Sequence, residues 1–163
     1  KMSIKVKGLK EVQDKLHKLS HLGGDIEPFL ADTGEILRNE IEDSFEKQSS
    51  PFGKQWKALK ESTKKYKDKK GYSSNVLRKS GDLADKWEIK TTNTSVRVFN
   101  ALKSKGYVYG LVHQFGTNKA GRGKNTTIPA RPFLPISKKG FLKKELKDEI
   151  KKDCINYIKD ILA

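Results

Sequence analysis

Between residues 26 and 45, apolar side chains recur every three or four positions, at Ile26, Phe29, Leu30, Leu37, Ile41 and Phe45, with Thr33 on the same line. Glu35, Glu42, Asp43 and Glu46 fall among the polar positions. At 3.6 residues per turn this spacing draws one apolar stripe down a helix of about 20 residues, roughly 30 Å long. Asp25 stands where a side chain could cap its first turn. A second stripe runs through Phe141, Leu142, Leu146, Ile150, Cys154, Tyr157, Ile158, Ile161 and Leu162. It predicts another helix, of about 24 residues. Helices with one apolar face must bury it against another element.

The rest of the chain offers that element. Trp87–Thr92 and Ser95–Phe99 alternate apolar and polar residues around Asn93-Thr94, which predicts a β-hairpin with Trp87, Ile89, Val96 and Val98 facing inward. Ile4 and Val6 suggest an N-terminal strand ended by Gly8. Leu9, Val12, Leu16 and Leu19 suggest a first helix closed by Gly23 and Gly24. Gln55 to Tyr66 reads as a short helix with Trp56 and Leu59 on one side, followed by a Lys-rich loop over about residues 64–75. Asp82, after Gly81, is placed to cap a helical turn through Leu83 and Ala84. Tyr107 to Phe115 is a short helix or a bent strand, ended by Gly116. Residues 117–127 form a Gly-rich basic loop, expected to be mobile when free, that carries Lys119, Arg122 and Lys124. Pro129, Pro132 and Pro135 then impose extended backbone. The expected fold is α+β, a single domain over 1–163 with long amphipathic helices packed against a small, mainly antiparallel sheet.

Composition narrows the classes of function. The 163 residues include 35 Lys plus Arg against 20 Asp plus Glu, a formal charge of +15, and 34% are hydrophobic. No apolar run approaches the roughly 18 residues of a membrane span, and no leader pattern opens the chain, so neither membrane insertion nor export is expected. With Lys1 ahead of Met2, Met2 reads as the natural start. Cys154 is the single cysteine, which bars an internal disulfide and a Cys-rich zinc site and points to an intracellular origin. The charge is uneven. Residues 25–50 hold 2 basic and 8 acidic groups, residues 51–80 hold 10 and 2, and residues 101–137 hold 6 and 0. Such asymmetry suits an electrostatic partner: nucleic acid, an acidic protein surface, or the acidic segment of another copy.

No catalytic constellation stands out. His17 and His21 share a helix face but lack a third metal ligand and the Glu of a zinc-protease motif. His113 would need a nucleophile, yet Cys154 falls on an apolar helix face and no G-x-S-x-G elbow is present. A structural His113, hydrogen-bonded to backbone, is the simpler reading. In a Walker A loop the Gly and the Ser or Thr would occupy the positions of Asn118 and Asn125 around Gly123-Lys124. The acids of residues 25–50 scatter around their helix as a solvated face would. No cofactor and no metal are expected. Basic residues interleaved with Tyr107, Tyr109, Phe115 and Phe133 leave non-specific DNA binding by residues 101–137 as a second reading, although no helix-turn-helix, zinc-finger or RNP signature accompanies them.

Four blocks between Phe45 and Ser137 carry a resemblance. They are Ser50-Pro51-Phe52-Gly53-Lys54-Gln55-Trp56-Lys57-Ala58-Leu59, followed by Thr63; Val76-Leu77-Arg78-Lys79-Ser80-Gly81-Asp82-Leu83; Tyr107-Val108-Tyr109-Gly110-Leu111-Val112-His113-Gln114-Phe115-Gly116; and Ile128-Pro129-Ala130-Arg131-Pro132-Phe133-Leu134. In this order they resemble the phage virion morphogenesis family, the tail-completion proteins of tailed bacteriophages and Mu-like prophages. The resemblance implies a non-enzymatic structural protein that finishes the tail or joins it to the head. It also implies an α+β fold, tail or neck proteins as partners, and a homo-oligomeric ring near the packaged DNA. Such a protein would assemble in the bacterial cytoplasm and end in the virion, with no membrane involved. The Lys-rich insert 64–75 and the basic loop 117–127 depart from the pattern.

Each block also has a physical reading. Pro51 and Gly53 set a turn that delivers Trp56 and Leu59 to the core. Gly81 permits a tight turn bracketed by Leu77 and Leu83. His113 and Gln114, beside Tyr109, tie the aromatic segment to a neighbouring loop, with Gly116 reversing the chain. Pro129 and Pro132 stiffen an extended segment, ending at Phe133, in which Arg131 offers a fork suited to a carboxylate. Packing within one subunit is the first explanation for such residues, and contact between subunits the second.

Overall fold

A computed structural model describes residues 14–18, 20, 26–102 and 108–162. The expected N-terminal strand, the Gly23-Gly24 stop and Asp25 lie outside the described residues. Residues 14–18 and 20 are helical, in line with the first helix.

Helix α1 spans Glu27–Glu46. Its capping position is held by Ile26, which has no side-chain cap; Pro28 in the first turn, where the amide has no helical partner, favours the start. The stripe read from sequence faces inward: Ile41 and Phe45 are buried. Two hydroxyls share that face without being orphaned, because Thr33 Oγ1 donates to Phe29 O at 2.9 Å and Ser44 Oγ to Glu40 O at 3.1 Å.

Strands β1, Glu88–Thr92, and β2, Ser95–Phe99, form the expected hairpin, pairing Ile89 with Val98 and Thr91 with Val96. Helix α1 lies across its apolar face so closely that a Cβ on Gly34 would stand 2.6 Å from Ile89 Cγ2 and 2.9 Å from Val96 Cγ2. Beyond the hairpin, Phe133 stacks within 5.2 Å of Phe45 and 5.9 Å of Trp87, and Trp56 meets Phe45 edge-on at 5.4 Å. With Ile41, Val76, Leu83 and Ala84 these rings form the buried core.

The last helix, here α5, runs over Lys144–Leu162 and packs on α1 through Phe29 and Tyr157, whose rings lie 5.8 Å apart. It starts three residues later than Phe141. The Ile136↔Leu142 bridge and the Ser137 N–H bond to Phe141 O, 2.8 Å, tie that backbone into a turn and leave Phe141 exposed.

Between these elements, α2 covers Glu61–Lys69, α3 Asp82–Asp85, α4 Tyr109–Phe115, β3 Thr117–Ala120 and β4 Thr126–Ile128. Three sequence readings change. Residues 56–60 are extended rather than helical, because their backbone is engaged elsewhere: Trp56 N–H donates to Gln48 O, and the Lys57 and Ala58 carbonyls accept from Arg131. The expected Lys-rich loop is helical through Lys69, since lysine favours a helix and Lys67 and Lys69 oppose the negative end of the helix dipole. The 117–127 loop is an antiparallel hairpin, Thr117 opposite Ile128 and Ala120 opposite Thr126, with its tip at 121–125. Its β-branched threonines suit a strand. The fold is α+β, with two separate two-stranded antiparallel sheets among the described residues.

Candidate functional site

The first and third motif blocks converge on the segment 129–134 of the fourth, and the second packs into the same core through Val76 and Leu83. Trp56 Nε1 donates to Pro132 O at 2.8 Å, joining the first block to the last. The turn behind it forms as the sequence implies: Gly53, at φ 78°, donates its N–H to Ser50 O at 2.9 Å, and Trp56 follows into the core with Leu59 packed beside it. Buried Gln114 accepts from the backbone N–H groups of Phe133 and Leu134 at 2.9 and 3.0 Å, while Arg131 N–H donates to His113 O at 2.7 Å. An added Cβ on Gly116, at φ 73°, would lie 2.7 Å from Ala130 N, so only glycine lets the strands pass. Helix α4 packs less tightly at Gly110, where a Cβ would meet Leu83 Cδ1 at 3.3 Å and Phe133 Cζ at 3.6 Å.

Arg131 is 7% exposed, yet among the described residues its fork meets no carboxylate. Its Nε donates to Lys57 O at 2.9 Å and an Nη to Ala58 O at 3.3 Å, so the guanidinium clamps the extended segment 56–60 instead. Burial lowers its pKa from the ordinary value. His113 also departs from expectation: its ring stands edge-on to Tyr109 at 6.1 Å, and its Nδ1 is buried with no hydrogen-bond partner. Burial, and then the Arg131 charge, push the His113 pKa down, which favours neutral imidazole.

The second block is locked from two sides. Gln48 Oε1 accepts from Val76 N–H at 2.5 Å, and Lys67 Nζ donates to the carbonyls of Asn75 and Arg78 at 2.6 and 3.0 Å. Between these anchors Leu77 sits at φ 57°, a left-handed conformation costly for a leucine. Lys67 is 6% exposed, and burial lowers its pKa. Gly81 at φ 89° occupies the cap of α3 that the sequence reading gave to Asp82, and its carbonyl accepts from Ala84 and Asp85 at 2.8 Å. Lys67 and Gln48 escaped sequence reading because a lysine in a charged run and a glutamine at a helix end look solvated.

A cleft of about 400 Å³ opens between α2, the 77–83 turn and β4. Its floor is apolar, with Leu59, Leu77, Leu83, Ile128 and Pro129, and Lys60, Lys67, Lys79, His113 and Arg131 stand around it. Among the described residues no acidic side chain lines it. Lys119, Arg122 and Lys124 are exposed on the neighbouring hairpin. Among the described residues no three His, Cys, Asp or Glu side chains form a metal-binding group, and no helix is long and apolar enough to cross a membrane.

Comparison with known proteins places these residues in a family. No solved structure matches the chain. The Mu-like prophage FluMu G protein 1 of Haemophilus influenzae is 32% identical over 133 residues, 79% of this chain and 80% of the relative. FluMu G protein 2 of the same organism is 27% identical over 137 residues, covering 83% and 85%. Protein G of Escherichia phage Mu, whose name links it provisionally to capsid assembly, is 29% identical over 118 residues, 71% of each chain. The sequence pattern of the phage virion morphogenesis family matches residues 7–157, and the chain belongs to that family.

Proposed function

We propose that this protein is a structural component of a phage or prophage particle that completes the tail or joins it to the head, acting by assembly in several copies rather than by turnover. One observation carries the reading: in a member of a morphogenesis family, the motif residues Trp56, Gln114 and Arg131 are spent on tying the segments 56–60, 113–116 and 129–134 together, and their hydrogen bonds end on the chain's own backbone. What remains outward is adhesive surface. Leu111 and Phe115 of α4 are 53% and 49% exposed, and Phe52 is 50% exposed. Apolar side chains grouped this way suit contact with other proteins. Partners on this reading are further copies, in a ring, and other tail or neck proteins. Assembly takes place in the host cytoplasm and the product is the virion, and the basic hairpin tip orders on assembly.

Deleting the gene from its phage or prophage tests the proposal. Particles lacking finished tails, or heads and tails left unjoined, are expected, with infectivity restored by the gene in trans; normal infectious particles would refute it.

A second reading, contact with DNA, is favoured by Lys119, Arg122 and Lys124, which are exposed on the basic hairpin. Duplex retained at low salt and released steeply as salt rises is its signature.

A further inference from the structure

The outward face of α1 forms a ridge. Asp32 and Glu35 are three residues apart and Glu42 and Glu46 four, with Arg38 in the seven-residue interval between the pairs, so all share one side of the helix. Only one basic residue, Arg38, lies within the helix, and it bridges Glu35 and Glu42. Asp32 and Glu46 are exposed, and Glu46 is near enough to Lys47 to help raise its pKa. The ridge is therefore convex, about 20 Å long by the 1.5 Å rise per residue, and net negative.

The cleft beside α2 is its inverse: concave, apolar at the floor, and without a lining acid among the described residues. Arg78 there is neutralised by Asp85 at 2.6 Å. Lys67 and Arg131 are tied to carbonyls, and Lys60 and Lys79 stand exposed at the rim, Lys79 poised over Tyr72 at 5.0 Å. Positive charge gathered around a concave, acid-free opening is complementary to a convex acidic surface.

We propose that the cleft is a docking site for the α1 ridge of a second copy of this chain. Carboxylates at Asp32 to Glu46 meet Lys60 and Lys79, and the contact is heterologous: ridge and cleft are different surfaces, so each copy uses both and the array propagates or closes on itself. This rests on the assembly reading and adds to it the two surfaces that meet.

The full-length chain tests the contact by charge exchange. One variant reverses the cleft, Lys60→Glu with Lys79→Glu; the other reverses the ridge, Asp32→Lys with Glu46→Lys. All four side chains are exposed, and circular dichroism with thermal melting checks that both variants fold. Sedimentation velocity should show wild-type oligomers at about 0.05 M salt that dissociate toward about 0.5 M, where screening shortens the Debye length severalfold. Each variant alone should be monomeric, and their equimolar mixture should assemble again, because every junction then pairs opposite charges. Wild-type chain that stays monomeric at low salt, variants that assemble like wild type, or a mixture that stays monomeric would each overturn the contact. So would a cleft variant that loses a short DNA duplex while its self-association is unchanged. A failed contact with a defective deletion phenotype leaves the morphogenesis role standing; normal particles without the gene remove that role whatever the chain does in solution.

Discussion

Gln114 shows how one side chain can hold several segments in place. Its carbonyl oxygen satisfies two buried amides of the 133–134 backbone. Gln114→Leu keeps the volume and removes the acceptor, so it should cost at least about 2 kcal/mol, the penalty of leaving buried donors unsatisfied, in urea unfolding. His113, one residue earlier, gives a pH signature. Its folded pKa lies below the usual value, so between the two pKa values the unfolded chain binds more protons. The associated stability is complete above about pH 6.5 and is lost as pH falls from there through the folded pKa, with a slope of at most about 1.4 kcal/mol per pH unit. His113→Gln should flatten that part of the stability profile, and a profile identical to wild type would count against the burial argument. Sequence reading found His113, Gln114 and Gly116 because a polar pair followed by glycine at the end of an apolar run invites a tie and a reversal. It misjudged the partners of Arg131 and His113, since which groups face a buried side chain is decided by segments 74 residues away.

At the scale of elements, the period of a helix was easier to read than its ends. The stripe of α1 and the alternation of the β1–β2 hairpin were both legible, because each writes one buried face into the sequence. Helix starts were not: α2 and α5 begin where tertiary hydrogen bonds release the backbone. Nor did the pattern reveal Gly34, which reads as a poor helix residue yet sets the α1–hairpin distance. Gly34→Ala weighs about 1 kcal/mol of helix propensity gained against about 1–3 kcal/mol of overpacking on Ile89 and Val96, whose branch methyls cannot swing aside. Net destabilisation is expected, visible as a lowered melting temperature; an increase would mean the hairpin shifts at no cost. Leu146 anchors the start of α5 in the interior, 4% exposed, and Leu146→Ala should cost about 2–5 kcal/mol.

For the whole molecule, the net charge of +15 is less informative than its distribution. An acidic ridge and a basic cleft on one chain suit repeated contact between copies, and the packed motif residues supply a rigid body on which to display them. The expectation of one domain over 1–163 predicts a single cooperative unfolding transition, coincident by far-ultraviolet dichroism and tryptophan fluorescence; two separated transitions would contradict it. The central claim is that this chain is built into the particle. Cryo-electron microscopy of purified virions tests it most directly: the account predicts several copies of this fold, symmetrically arranged at the head-proximal end of the tail or at the neck. Complete, infectious virions in which neither density nor mass spectrometry finds the chain would contradict it.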